Sequence, residues 1–504
     1  MKKALGVCAA VALLSAVGCT STYQRRGTET PLDDRITVSD LEGVQHVDQQ
    51  LNLEARSIEQ FKTENGKNFD IGVIEINDDG FSNEAQTRQV LDHVRDHGLT
   101  EGALIVTFVH GWHHGPRVCD RDICCFRRVL DRIAAARNSK GPVTGIYIGW
   151  RGESISAPVL NGFTFWDRKR IAQNNGRMDG AQVLLELDDM YRKARRTNGD
   201  DITMVTVGHS FGGALVFSAM KQLVTGSVGD ILGQPSLSFE GKHPCGKLSP
   251  DDCSYRIVRA EEDRVAAAKG GHKAHRARMG DLVVLVNPAI EASQYQAFDS
   301  DLPDTPFPTY WPTDKTKPYA DDQLPVLMTV ASEADQAVGV AFPIGRFFSG
   351  FHDPRIWAHG SLHTGMGHYE PQLTHRLDYT GDVSKLRSDE AALVKSNPVC
   401  QCTKNFSASE LEIASNNLDL TGTDQWFGKL HFALSANRDP KTWDKHSPYL
   451  VVQTTGNVIS EHSDIYNPVF VSFLTKYIVA YDKVKTHTSY GPATAENSPV
   501  LYGK

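Results

Sequence analysis

A doubly wound, mostly parallel α/β sheet is the architecture this sequence predicts, and three observations predict it. Uninterrupted apolar runs rich in β-branched residues recur along the chain, the pattern of strands buried on both faces. Helical stretches separate them, and such alternation is what parallel βαβ connections require. The bulk properties agree: 504 residues, 40% hydrophobic, 23% charged and 42 glycines, with ample material for a large core. That composition excludes a mainly disordered chain. A net charge of −8 argues against a nucleic-acid partner, which needs a basic face.

The elements follow in chain order. Residues 71–76 read as a strand and 83–97 as an amphipathic helix; 103–109 is a continuous apolar run. A helical stretch at 127–137 precedes a strand at 143–149, and a long helix at 171–195 precedes one at 202–207. An apolar helix spans 214–224; further buried strands fall at 282–286, 326–330 and 449–453, with a closing helix at 467–481. Two stretches break the alternation and read as insertions, 226–278 and 336–445, while 299–325 is rich in proline and carries Phe307, Tyr310 and Trp311. Excursions of this kind above a sheet's carboxyl edge form lids and substrate walls. The domain expectation is therefore a processing segment at 1–18, a polar tether at 19–45, and one α/β domain over 46–504 carrying these insertions.

Lys2 and Lys3 precede an uncharged run from Ala4 to Val17, too short to cross a ~30 Å hydrocarbon core as a helix. The run ends in Ala16-Val17-Gly18-Cys19, which resembles the bacterial lipobox, with Ala16 where that pattern prefers leucine. The resemblance implies cleavage before Cys19 and lipidation of its thiol; Thr20 in place of aspartate implies the outer membrane. The expected location is thus the bacterial cell envelope, with membrane contact through the N-terminal lipid. Seven cysteines lie beyond Cys19. Cys245 and Cys253 bracket a loop that could close on itself, whereas Cys124-Cys125 and Cys400-x-Cys402 are too tight for self-bridging and need partners elsewhere.

The strongest chemical signal is Gly208-His209-Ser210-Phe211-Gly212-Gly213, which directly follows one buried run and opens an apolar helix. Glycines two residues either side of a serine let strand and helix close tightly and push the hydroxyl out at the sheet's edge. The helix N-terminus also presents N–H groups to a developing negative charge. In this context the motif resembles the nucleophile elbow of the α/β-hydrolase family, in its lipase and esterase members, over most of residues 70–335 and again at 449–481. The resemblance implies a serine hydrolase cleaving carboxylic esters through an acyl-enzyme, with no cofactor or metal and a small-molecule or lipid ester as partner.

It also implies roles for particular residues. His110-Gly111-Trp112, after the 103–109 run, matches the family's oxyanion loop, so the donors become the backbone N–H groups of Trp112 and Phe211. Three histidines in five residues, His110, His113 and His114, are a rival metal cluster, but no carboxylate accompanies them in the local sequence. The family order of serine, acid and histidine places the acid after the 326–330 strand. Asp335 is the first choice, with Glu333 next, and Glu291 a third candidate after the preceding strand. His462, between the last strand and the last helix, is the expected base; His368 is its rival, inside an inserted region. Two other readings stay open at this point: a non-catalytic envelope scaffold, and an acyltransferase or thioesterase using the same residues.

Overall fold

The computed structural model describes residues 26–32, 34–43, 51–77, 79–112, 114–137, 141–150, 178–198, 201–231, 279–297, 323–341, 360–383, 402 and 419–485. Within them lies one eleven-stranded sheet in the order β1-β2-β4-β3-β5-β6-β7-β11-β8-β10-β9. Its strands are β1 (Ile58–Lys62), β2 (Asn68–Ile76), β3 (Leu104–Val109), β4 (Val143–Trp150), β5 (Thr203–His209), β6 (Leu282–Val286), β7 (Leu327–Ser332), β8 (His375–Tyr379), β9 (Asp424–Phe427), β10 (Leu430–Leu434) and β11 (Tyr449–Thr454). From β2 through β8 every neighbouring pair is parallel, and β1, β10 and β9 add antiparallel pairings at the two edges.

The helices are α1 (Val38–Gly43), α2 (Glu84–His93), α3 (Arg121–Ala136), α4 (Asp179–Asn198), α5 (Phe211–Ile231) and α6 (Pro468–Lys485). They divide between two cores. One gathers α1, α3 and α6 against one face of the sheet, around Val106, Phe108 and Val207. The other gathers α2, α4 and α5 on the opposite face, around Ile105, Val109 and Met204. Successive residues of β3 thus feed opposite cores, as the two-residue period of a strand demands. β3, β4 and β5 are buried at every position, which is why they read as unbroken apolar runs.

Two expectations are corrected, and one strand was missed. Residues 19–45 are not a free tether throughout. Arg26 is buried, its backbone N–H donates to Glu75 Oε1 at 2.7 Å, and its side chain reaches Pro116 O and Glu59. Val38 and Leu41 of α1 join the core, so the apolar residues hidden in this polar stretch dock it to the domain. The 336–445 region is not only an excursion above the sheet, because it supplies β8, β9 and β10 and so extends the sheet sideways. Their short, alternating burial carries a weaker apolar signal than the central strands. β1, half hidden by the buried carboxylate Glu59, also escaped the periodicity. Burial alone would raise that carboxyl, but Arg127 and Arg26 hold it down at about 2. Most of 226–278, all of 299–322 and Cys245 and Cys253 lie outside the described residues.

Cys125 on α3 is bridged to Cys402, 277 residues away, while its neighbour Cys124 stays a buried free thiol, pushed up to about 12 by burial. The bridge joins the segment leading to β9 and β10 to the helix beneath the central strands. Replacing both bridged cysteines with alanine is expected to cost about 5 kcal/mol of unfolding free energy, because the long closed loop no longer restrains the unfolded chain. A urea titration under oxidising conditions reads this directly; reductant added to the unmodified protein also opens the bridge of Cys119, so it should lower stability at least as far.

Candidate functional site

All the parallel strands end at one edge, and the candidate residues collect there. Ser210 directly follows β5 and precedes α5, with φ of 55° in the left-handed region that a β-carbon disfavours. The turn is tight enough that its glycines admit no side chain. A β-carbon on Gly212 would lie 2.2 Å from Val109 O, and one on Gly208 2.8 Å from Gly213 Cα. The serine backbone is held on three sides: its N–H donates to Val286 O at 3.0 Å, and its carbonyl accepts from Ala214 N and Ala289 N.

Two short hydrogen bonds lead away from its hydroxyl. Ser210 Oγ lies 2.6 Å from His462 Nε2, and His462 Nδ1 lies 2.7 Å from Asp335 Oδ2. Asp335 is 1% exposed. Its other oxygen accepts from the backbone N–H groups of Ala337 and Val338 at 2.9 and 3.1 Å. Oδ2 is therefore left facing the imidazole, and a carboxylate there can only accept, so Nδ1 carries the proton and Nε2 offers a lone pair to the serine. Such a serine is able to attack an electrophilic carbonyl while handing its proton to His462.

The rival residues are placed differently. Glu333 is half exposed and faces Arg376 at 3.8 Å. Glu291 is bridged to Gly365 and accepts from Gln294 Nε2 at 2.5 Å. His368 lies in the electrostatic range of Asp335 and His462, and burial lowers its affinity for a proton. Its ring packs against Gly339 rather than reaching the serine.

The loop after β3 comes right up to the serine. A β-carbon on Gly111 would sit 3.0 Å from Ser210 Cβ and 2.8 Å from His209 Nδ1. His110 is buried, a lowered group at about 4 chiefly because of desolvation. Its Nε2 accepts from Trp150 N–H at 3.0 Å, so Nδ1 carries the proton and donates to Gly111 O at 2.7 Å. Fixing that carbonyl fixes the whole peptide plane, and the Trp112 N–H points the opposite way from it. Phe211, the other expected donor, is the first residue of α5.

Sequence reasoning missed several supports. His209 Nε2 and Asn287 Nδ2 both donate to the backbone carbonyl of His462, at 3.0 and 2.9 Å. Burial and the neighbouring His462 keep His209 neutral, well below the usual histidine range. Asn287, itself at φ 44°, accepts from Ser332 N–H with its other side-chain atom and so ties the ends of β6 and β7 to the histidine loop. The signals were a histidine at the variable position of the elbow and an asparagine ending a strand.

The histidine-rich loop also has carboxylates after all, supplied by the start of α3. His114 Nδ1 meets Asp120 at 3.0 Å and Nε2 meets Asp122 at 3.4 Å, and the three groups are close enough together to hold a cation. Asp120, however, is the cap of α3, bonded to Asp122 N–H, and also accepts from Gly115 N–H. The cluster ties the loop to the helix, and His110 takes no part in it. His113 lies outside the described residues. Comparison of the chain with protein-family models, curated proteins and solved structures returned no match, so the geometry of the site stands as the basis for assigning its function.

Proposed function

We propose that this chain is a serine hydrolase of the α/β-hydrolase type that cleaves carboxylic esters through an acyl-enzyme, anchored in the bacterial envelope by a lipid on Cys19. The observation that supports it most is the continuous relay Ser210–His462–Asp335, two hydrogen bonds of 2.6 and 2.7 Å at the carboxyl edge of a parallel sheet. In this reading His462 takes the Ser210 proton as Oγ attacks the ester carbonyl. Asp335 holds the imidazolium that forms, and the Trp112 and Phe211 N–H groups receive the oxyanion. His462 then protonates the departing alcohol. Water, deprotonated by the same imidazole, releases the acid and restores the serine.

The test is a fluorophosphonate label applied to the purified protein, together with p-nitrophenyl esters of short and long acyl chain. Labelling at Ser210 and turnover of the esters are expected. A folded protein that neither labels nor turns over any ester sinks the hydrolase reading, and a product that is an ester of added alcohol rather than free acid converts it to acyl transfer. Gly111→Ala probes the oxyanion loop. Its new methyl cannot fit between His209 and Ser210 without displacing the loop, so kcat should fall about 10²-fold, the size of losing one donor, with KM little changed. A kcat within threefold of the parent would detach this loop from the chemistry.

A further inference from the structure

The chain enters the domain at the same edge of the sheet that carries the relay. Arg26 donates its backbone N–H to Glu75, next to the last residue of β2, and its Nε to Pro116 O in the loop after β3. Gly27 and Glu29 continue this by donating to Glu54 O and Ala55 O. Six residues separate Cys19 from Arg26, and the seven steps from one Cα to the next span at most about 25 Å whatever their conformation. A lipid on Cys19 would therefore hold Arg26, and the carboxyl edge with it, close to the bilayer surface.

The apolar surface agrees with that orientation. Among the described residues the exposed large hydrophobic side chains are Phe81 at 55%, Met178 at 40% and Trp426 at 54%. Trp426 is on the far edge strand β9 and is covered on one side by His431, 4.2 Å between ring centres. Phe81 and Met178 are at the carboxyl edge, Phe81 in the loop leaving β2 and Met178 at the start of α4. The residues flanking them tie the two segments together, since Asp179 N–H donates to Gly80 O and Ser82 N–H to the Asp179 side-chain Oδ2 at 2.8 Å. β2 is three strands from β5, about 14 Å at the usual spacing. Two bare apolar side chains, the entry point of a short tether and the serine thus share one edge.

We infer that this edge docks on the lipid leaflet that holds the Cys19 anchor, with Phe81 and Met178 inserted, so that Ser210 draws its ester from that membrane. The inference rests on the reading of Cys19 as a lipid attachment site and of Ser210 as a nucleophile. A tether of this length brings the face back to the surface whenever it leaves, so two modest apolar insertions suffice to set the orientation. No helix among the described residues is long and apolar enough to cross a membrane, so depth is set by these contacts and the lipid.

The experiment uses the lipidated full chain reconstituted into phosphatidylethanolamine–phosphatidylglycerol vesicles. Phe81→Trp fluorescence, taken as the difference from the unsubstituted protein, should be quenched by lipids brominated in the acyl chain. The pair Phe81→Ser and Met178→Ser should lower turnover of p-nitrophenyl palmitate embedded in the vesicles about tenfold, while soluble p-nitrophenyl butyrate in detergent is hydrolysed at the parent rate. An unquenched indole, an undiminished vesicle rate in the double variant, or a Cys19 that mass spectrometry finds without lipid overturns the docking. Failure of the hydrolase reading looks different: neither ester is turned over, yet the quenching still reports whether the face is seated.

Discussion

Ser210→Ala is expected to lower kcat for a soluble ester at least about 10⁴-fold and to abolish fluorophosphonate labelling, with KM and folding preserved. The size follows from what remains. The proposed oxyanion donors, Trp112 and Phe211, act through backbone N–H groups that stay in place, so a residual acceleration over water should survive. Covalent capture in the proposed mechanism, however, needs the hydroxyl oxygen of Ser210. Folding should survive because the residue's backbone, not its hydroxyl, carries the turn: its N–H donates to Val286 O and its carbonyl accepts from Ala214 and Ala289 N–H. Alanine also tolerates the positive φ no worse than serine does. Kinetics together with a thermal melt check this, and a folded alanine variant that retains more than a hundredth of the parent rate would place the nucleophile elsewhere.

How much of this was legible beforehand depends on what each residue's signal is made of. The central strands announce themselves because burial on both faces leaves no room for polar residues, as in β3 and β5, and the elbow because glycine spacing is a steric requirement of the turn itself. Asp335 and His462 were reachable only through order along the chain, since nothing local distinguishes Asp335 from Glu333. What separates them is direction: Asp335 turns into the protein under two backbone N–H groups, while Glu333, two residues earlier, faces outward to Arg376. β8 to β10 were illegible because an added sheet edge is only partly covered and keeps polar residues such as Arg376 and Asp378 in its pattern. Asn287 and His209 act through long-range bonds to a backbone carbonyl over 170 residues away, and no local pattern encodes such a contact.

The second large effect should come from a substitution that hardly changes shape. Asp335→Asn keeps the volume of the side chain, and the protein decides how the amide is oriented. The oxygen now bonded by Ala337 and Val338 N–H must remain an acceptor, because an NH₂ group there would face two donors. The carbonyl oxygen of the asparagine therefore takes that place, and its NH₂ group points at His462 Nδ1. That nitrogen must then accept, so the proton moves to Nε2, where it faces Ser210 Oγ. In this tautomer the imidazole has no lone pair for the serine proton, and kcat should fall about 10⁴-fold although every heavy atom is in place. Asp335→Ala, which leaves the tautomer free, should be no worse than the asparagine variant despite its cavity. Glu333→Gln and Glu291→Gln, which touch neither ring nitrogen, should stay within a few-fold of the parent. Equal losses in all three carboxylate-to-amide variants would show that the acid has been misassigned, whereas a drop confined to Asp335→Asn would show that this carboxylate serves the site by dictating which nitrogen of His462 holds the proton.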